Sequence, residues 1–184
     1  KYHGGVNVKK LNIKRVIIVA TAVIAVIAIT LITAFSDRVI KLEYELDIEK
    51  TPTDINYSSI IFEQGIQCGS IKILLGQEID ITPYSITKEI DTDGVKIMQL
   101  LAPSKKYELI VVGCENAWRV QEIRTTIPGV SSLYGFSVGD TQKDVKECVT
   151  IPNKRKVTIK EDEHTEVRLE FVSDILCVID VRCV

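Results

Sequence analysis

The chain has 184 residues, with 23 Lys or Arg against 25 Asp or Glu and a formal net charge of −2 at pH 7. This length accommodates one domain of ordinary size plus a short extension, and it excludes two full domains. A nucleic-acid-binding role is excluded as well, because contact with a phosphate backbone needs clustered Lys and Arg. The only basic run beyond the N-terminus, Lys154 to Lys156, is followed closely by the acidic Glu161 to Glu163.

Residues 16–35 are uncharged and apolar. A helix of about twenty residues, rising about 1.5 Å per residue, covers the roughly 30 Å of bilayer hydrocarbon. The preceding residues 1–15 carry five basic residues and no acid, so the positive-inside rule predicts a cytoplasmic N-terminus. The sequence therefore predicts a short basic tail (1–15), a single transmembrane helix (16–35) in contact with membrane lipid, and an extracytoplasmic domain.

A cleaved signal peptide, leaving a secreted domain, is the alternative reading of the same segment. Ala34, Phe35 and Ser36 have the small-x-small form that signal peptidase recognises, but signal cores usually run about 7 to 15 residues. The longer stretch favours the retained anchor. Either way the exported part keeps 18 of the 23 basic residues against all 25 acids, a formal charge of −7.

After the apolar stretch, the hydrophobic pattern is mostly that of β-strands. Residues 40–49 alternate apolar and charged side chains, which predicts a strand with one buried face. Two short helices are predicted, one from Thr82, its cap, and Pro83 to Ile90, and one from Thr141 to Cys148, capped by Asp140. Further strands are predicted at Ile71 to Leu75, Val95 to Leu101, Tyr107 to Cys114 and Trp118 to Thr125.

Residues 107–126 align without gaps on residues 165–184, at an offset of 58. Both segments have the pattern of a strand, a polar turn and a second strand. Upstream of each lies an apolar run followed by a glycine, Gly76 in one case and Gly139 in the other. The predicted fold class is therefore α+β, with two tandem helix-plus-β-hairpin units, the first in 36–126 and the second, with its linker, in 127–184.

The second unit resembles a known family. The segment from Gly135 to Val145, with Gly139, Thr141 and Val145, is similar to the G-x-T-x-x-x-V helix start of small outer-membrane-assembly lipoproteins and β-lactamase inhibitory proteins. The alternating Val167, Leu169 and Phe171 resemble the hairpin that follows. The resemblance covers about fifty residues, 134–184, and implies a binding protein. The chain has no lipobox cysteine near the apolar stretch.

Five cysteines follow the apolar stretch, so at least one is unpaired within the chain: Cys68, Cys114, Cys148, Cys177 and Cys183. In one strand Cys177 and Cys183 lie about 20 Å apart, too far for a disulfide. Burial as small hydrophobic residues is the main expectation for the cysteines. A thiol enzyme would need Cys114 or Cys148 close to a histidine.

Catalytic motifs are few. The exported part has one histidine, His164, in an acidic turn, and no G-x-S-x-G accompanies it. The same turn lacks the D-x-D-x-D-G spacing of a calcium loop, and no cofactor, catalytic residue or metal ligand is predicted. The candidate partner contacts are Tyr134, Trp118, Glu161, Asp162, Glu163 and His164, although Trp118 also fits a core position.

The sequence favours a membrane-anchored, non-catalytic module that binds an extracytoplasmic protein or envelope component through the sheet surface or the groove between its two units. Two alternatives remain. One is an exported hydrolase that uses a cysteine or carboxylates. The other is a single-pass sensor or regulator whose basic tail contacts a cytoplasmic partner.

Overall fold

The computed structural model describes residues 46–57, 63–114 and 117–184, with the backbone alone described at residue 114. These residues belong to one compact unit. A short 3-10 helix, Ile48–Lys50, precedes eleven strands and one α-helix in the described part. The elements are β1 (Gly65–Cys68), β2 (Ile71–Leu74), β3 (Glu78–Ile79), β4 (Ser85–Thr92), β5 (Val95–Leu101), β6 (Glu108–Cys114), β7 (Ala117–Thr125), β8 (Val130–Ser132), α1 (Gln142–Cys148), β9 (Lys156–Lys160), β10 (Thr165–Val172) and β11 (Ile175–Cys183).

The strands form two antiparallel sheets. The large sheet has the order β4-β5-β6-β7-β11-β10-β9, and β3 joins it by pairing with the first residues of β7. The small sheet has the order β2-β1-β8 and packs on one face of the large sheet. Because β1 belongs to the first half of the domain and β8 to the second, the small sheet ties the two halves together.

The two hairpins aligned in the sequence, β6–β7 and β10–β11, lie side by side in the large sheet and are related by a local two-fold axis. Strand β7 pairs with β11, and Ile123 lies opposite Val181, its counterpart at the 58-residue offset. On either side of this pair, Glu122 lies opposite Arg182 and Arg124 lies opposite Asp180. Equivalent positions of the two halves therefore meet at the centre of the sheet.

A glycine-containing loop contacts each hairpin in the same way. The Gly76 N–H donates to the Val120 carbonyl (2.7 Å), and the Val120 N–H donates back to Gln77 (3.0 Å). In the other half, the Gly139 N–H donates to Leu176 (2.8 Å), whose N–H donates to the Asp140 carbonyl (2.8 Å). Both glycines have positive φ, 66° and 103°, a conformation that costs an L side chain more than it costs glycine.

Of the two predicted helices, both within described residues, only the one in the second half is present. The cap is Thr141 and not the predicted Asp140. The Thr141 hydroxyl accepts the Asp144 N–H (3.2 Å), and the Asp144 carboxylate accepts the Thr141 N–H (3.1 Å), which completes a capping box. The helix predicted at 82–90 is wrong. Thr82 instead donates its N–H to Asp80 (2.9 Å) in a turn, and the following residues pair with β5 as strand β4.

The strand predicted over 40–49 is also wrong where the structure describes it. Residues 46–47 have no regular structure, and Ile48–Lys50 is a 3-10 helix. Ile48 is 2% exposed and packs with Ile97, Ile110 and Val112 on the face of the large sheet opposite the small one. The segment therefore covers sheet surface instead of pairing with a strand there.

The membrane part of the predicted fold class needs correction. Within the described residues, no helix has the length and apolar character needed to cross a membrane. This finding contradicts the predicted fold class, which we correct, for the described residues, to a strand-rich domain with one short α-helix. The segment 16–35, on which the predicted span and its lipid contact depend, lies outside the described residues.

The main core lies between the two sheets and is shared by both halves. It contains Leu109 and Ile123 from the first hairpin, Leu169 and Val181 from the second, and Ile66 from the small sheet, all at most 1% exposed. At about 25 cal/mol per Å² of apolar surface removed from water, this shared burial dominates the stabilisation of the sheet. The two hairpins therefore have no separate cores.

Candidate functional site: an acidic turn and a buried ion-pair network

The turn between β9 and β10 brings together five of the six predicted contact residues. We call Glu161, Asp162, Glu163 and His164 the acidic turn. Tyr134, 27 residues earlier, donates its hydroxyl to the Glu161 carboxylate, and the Gln64 side chain donates to the other oxygen of that carboxylate (3.4 Å). Glu161 is thus oriented by side chains from two distant parts of the chain.

Tyr134 is itself held in place by Phe136. Their rings stack with centroids 5.7 Å apart and planes 10° from parallel, and Phe136 is buried in the main core. A tyrosine stacked on a core residue loses little additional freedom when a partner contacts it. The side of the acidic turn next to Tyr134 is consequently anchored to the domain.

The rest of the acidic turn faces solvent. Asp162 accepts the backbone N–H of His164 (2.7 Å), and the Glu163 side chain is 87% exposed. The His164 Nε2 atom lies 3.5 Å from Glu163 Oε1. The backbone carbonyl of His164 accepts the Val184 N–H (2.9 Å). Three carboxylates within three residues, all exposed, give this end of the sheet a local negative charge.

Trp118 does not belong to this cluster. It pairs with Ile79 between β3 and β7, and its ring lies against Gly113, where an added Cβ would meet it at 3.3 Å. The side chain is partly buried at the margin of the main core. Trp118 therefore lies at the edge of the core and apart from the acidic turn.

The structure also contains a buried ion-pair network that the sequence analysis did not predict. We call Glu122, Glu166, Arg168, Asp180 and Arg182 the arginine network. Arg168 Nη2 lies 3.0 Å from Glu122 Oε1 and also bonds Asp180 Oδ2. Arg182 Nη2 lies 2.6 Å from Glu166 Oε1. Asp180 is fully buried, and its other oxygen, Oδ1, has no hydrogen-bond partner among the described residues.

The environment of the network shifts the pKa values of two carboxyl groups. Burial is the largest cause for Glu122, and the neighbouring Asp180 charge adds to it, so the Glu122 pKa rises from its usual 4.5 to about 9. Burial also raises the pKa of Asp180, although Arg168 opposes that rise. With three carboxyls and two guanidiniums, the network is neutral when it holds one proton, and the raised pKa values of Glu122 and Asp180 point to this pair as its site.

The network follows from the local two-fold axis. Glu122 and Asp180 are equivalent positions of the two hairpins, and Arg124 and Arg182 are another such pair. Alternation of charged with apolar residues is typical of a strand with one solvated face, yet Glu122, Glu166 and Asp180 are buried here. Their repetition at the same offset was the available signal that they meet at the junction of the halves. Arg168 breaks the symmetry, because its counterpart is Ile110.

Four cysteines have described side chains, and none of these four is in a disulfide. Cys68 and Cys183 are buried as expected, Cys177 is intermediate, and Cys148 is exposed, which contradicts its predicted burial. Burial is the largest cause that raises the pKa of the Cys183 thiol to about 12. A thiol with that pKa is protonated and a poor nucleophile at neutral pH.

The described residues contain no group of three or more His, Cys, Asp or Glu side chains that could hold a metal ion. Comparison of the chain with protein-family models, with curated proteins and with solved structures finds no match in any of the three.

Proposed function

We propose that this chain is a non-catalytic binding module, and that its acidic turn docks a cationic segment of a partner protein. The observation that carries the proposal is that Tyr134, whose ring stacks on the buried Phe136, fixes an exposed, negatively charged turn through its bond to Glu161. Exposed carboxylates of like sign repel one another, and a cationic partner relieves that repulsion. The Tyr134 ring supplies an amphipathic contact beside the charges.

The proposal is tested by the binding of a synthetic lysine-rich peptide. The variant carries Glu161→Gln, Asp162→Asn and Glu163→Gln, which removes three charges from the acidic turn. A matched control carries Glu89→Gln, Asp91→Asn and Asp93→Asn, three exposed acids in the last residues of β4 and the turn that follows it. Both variants have the same net charge, so a general electrostatic effect is the same for both.

We expect the acidic-turn variant to bind the peptide at least about tenfold more weakly than the control variant, as measured by fluorescence anisotropy. The affinity of the unmodified chain should fall as salt is added, because exposed charges are screened. Tyr134→Phe, which keeps the ring and removes only the hydroxyl, should weaken binding by a smaller factor. Equal loss in the two triple variants, or no binding by the unmodified chain, overturns the proposal.

A second candidate function is acid-base catalysis by Glu122 and Asp180. It is favoured by the raised pKa values of this carboxyl pair, since such shifts are common at active sites. Against it, Asp180 has no exposed surface and Glu122 is 5% exposed, so a substrate has no direct access to either group. Hydrolysis of a model ester that is lost in Glu122→Gln, with the fold retained, would favour catalysis over binding.

A further inference from the structure

The open edge of the large sheet lies next to the acidic turn. Strand β9 pairs with β10 on one side, and no strand in the described ranges pairs with its other side. Thr158 and Lys160 are exposed along this edge. An open edge is a template for pairing with another chain, and natural proteins restrict such pairing with charged side chains.

Two backbone hydrogen bonds fix which groups of β9 point outward. The Phe171 N–H donates to the Arg155 carbonyl (2.7 Å), and the Glu161 N–H donates to the Thr165 carbonyl (3.1 Å). In an antiparallel pair the backbone groups of alternate residues point to the same side. The backbone N–H and C=O groups of the odd-numbered residues from 155 to 161 therefore face β10. Those of Lys156, Thr158 and Lys160 face the open edge.

Charge is distributed unevenly along this edge. A basic segment, residues 154–156, lies at the start of β9, and the acidic turn lies at its end. When two copies of one strand pair antiparallel, the start of each lies opposite the end of the other. With Ile159 opposite Ile159 of the second copy, the outward groups are in register, and the basic segment of each copy lies beside the acidic turn of the other, which begins just after β9 ends at Lys160. The two-fold symmetry repeats this contact.

We infer that β9 pairs antiparallel with β9 of a second copy of this chain, so that the acidic turn of each copy contacts residues 154–156 of the other. This inference rests on the proposed function, because it names the cationic partner of the acidic turn. Opposite charges directly across an antiparallel pair stabilise it, whereas the edge lysines would otherwise repel a second strand. Charge complementarity thus selects this register from the alternatives.

The test is a charge exchange measured by sedimentation equilibrium on the full chain. One variant carries Lys154→Glu and Lys156→Glu, and the other carries Asp162→Lys and Glu163→Lys. Arg155 is left intact because it bonds Glu170 (2.8 Å), and Glu161 is left intact because it accepts the Tyr134 hydroxyl. Each variant alone should dimerise at least about tenfold more weakly than the unmodified chain, and a one-to-one mixture should form a heterodimer.

Rescue in the mixture requires both variants to be folded, so misfolding cannot imitate it. Thr158→Pro removes an outward N–H without removing a bond to β10, and it should abolish the dimer, whereas Thr158→Val should keep it. A monomer at all concentrations, or a dimer that neither charge variant weakens, overturns the inference. If the unmodified chain stayed monomeric and still bound the lysine-rich peptide, the pairing of β9 with a second copy would be overturned, and the proposed function would stand.

Discussion

Asp180 and Glu122 hold carboxyl groups inside the sheet, where an isolated charge is costly. Arg168 reaches both groups, so each has an opposite charge within bonding distance. A buried ion pair often contributes little net stability compared with well-packed apolar residues, while removal of one partner destabilises strongly. The arginine network therefore fixes how the strands pair more than it adds to the free energy of unfolding.

The raised pKa of Glu122 predicts how stability depends on pH. Between its ordinary value of 4.5 and about 9, the folded chain holds a proton that the unfolded chain has released. Stability from this group is fully present below about pH 4.5 and is lost as the pH rises through about 9. The free energy of unfolding should thus fall with rising pH, by at most about 1.4 kcal/mol per pH unit for one proton.

Glu122→Gln should remove much of this dependence, because the neutral amide resembles the protonated acid. We expect the variant and the unmodified chain to have the same free energy of unfolding near about pH 5. Near about pH 9 the free energy of unfolding of the variant should be higher by about 1 to 3 kcal/mol, as measured by urea unfolding. Glu163→Gln, on an exposed side chain, serves as the control and should keep the original dependence. An equal loss of stability at every pH would contradict the shared proton.

At the scale of elements, local sequence determined some structures and distant pairing determined others. Helix α1 forms where a Thr cap, an acidic third residue and a following Pro152 agree. Thr82-Pro83 carries a similar start signal, yet residues 85–92 become β4. Their Ile and Thr residues favour a strand, and β5 supplies the backbone partners. The cap signal alone did not distinguish these outcomes.

The small sheet depends on a glycine whose role the sequence did not indicate. A Cβ added at Gly65 would overlap the carbonyl oxygen of Ile73 on the neighbouring strand β2. We expect Gly65→Ala to separate β1 from β2 and lower the free energy of unfolding by at least about 1 to 3 kcal/mol, measured by urea unfolding.

Gly69→Asn is the matched control for this prediction. Gly69 lies in the turn between β1 and β2 with φ +61°, and a Cβ there meets nothing within 4 Å. Asn tolerates left-handed backbone better than most residues, so this variant should lose much less stability than Gly65→Ala. If the two substitutions cost the same, the close approach of β1 to β2 is not what requires glycine at residue 65.

At the scale of the whole molecule, β7–β11 pairing and the shared core predict that both halves unfold together. Trp118, the only tryptophan, lies in the first half and reports unfolding there, while circular dichroism reports the strands of both halves. The two signals should give the same urea midpoint.

A substitution at the symmetry centre sharpens this prediction. Val181→Ala, in the second half, removes buried methyl groups from the shared core and should cost about 1 to 3 kcal/mol. Both midpoints should shift by the same amount, although Trp118 lies in the other hairpin. A shift in circular dichroism without a shift in tryptophan fluorescence would instead indicate that the halves unfold independently.

The sequence by itself determined the positions of the two main hairpins, their 58-residue offset, helix α1 and the acidic turn, because short-range alternation, caps and turn residues specify such features locally. It did not determine the burial of Glu122 and Asp180, the strand β4, or the pairing of β1 with β8. Those features depend on partners far away in the chain. A residue on the polar face of a strand becomes buried only when another element covers it, and only the tertiary structure decides that.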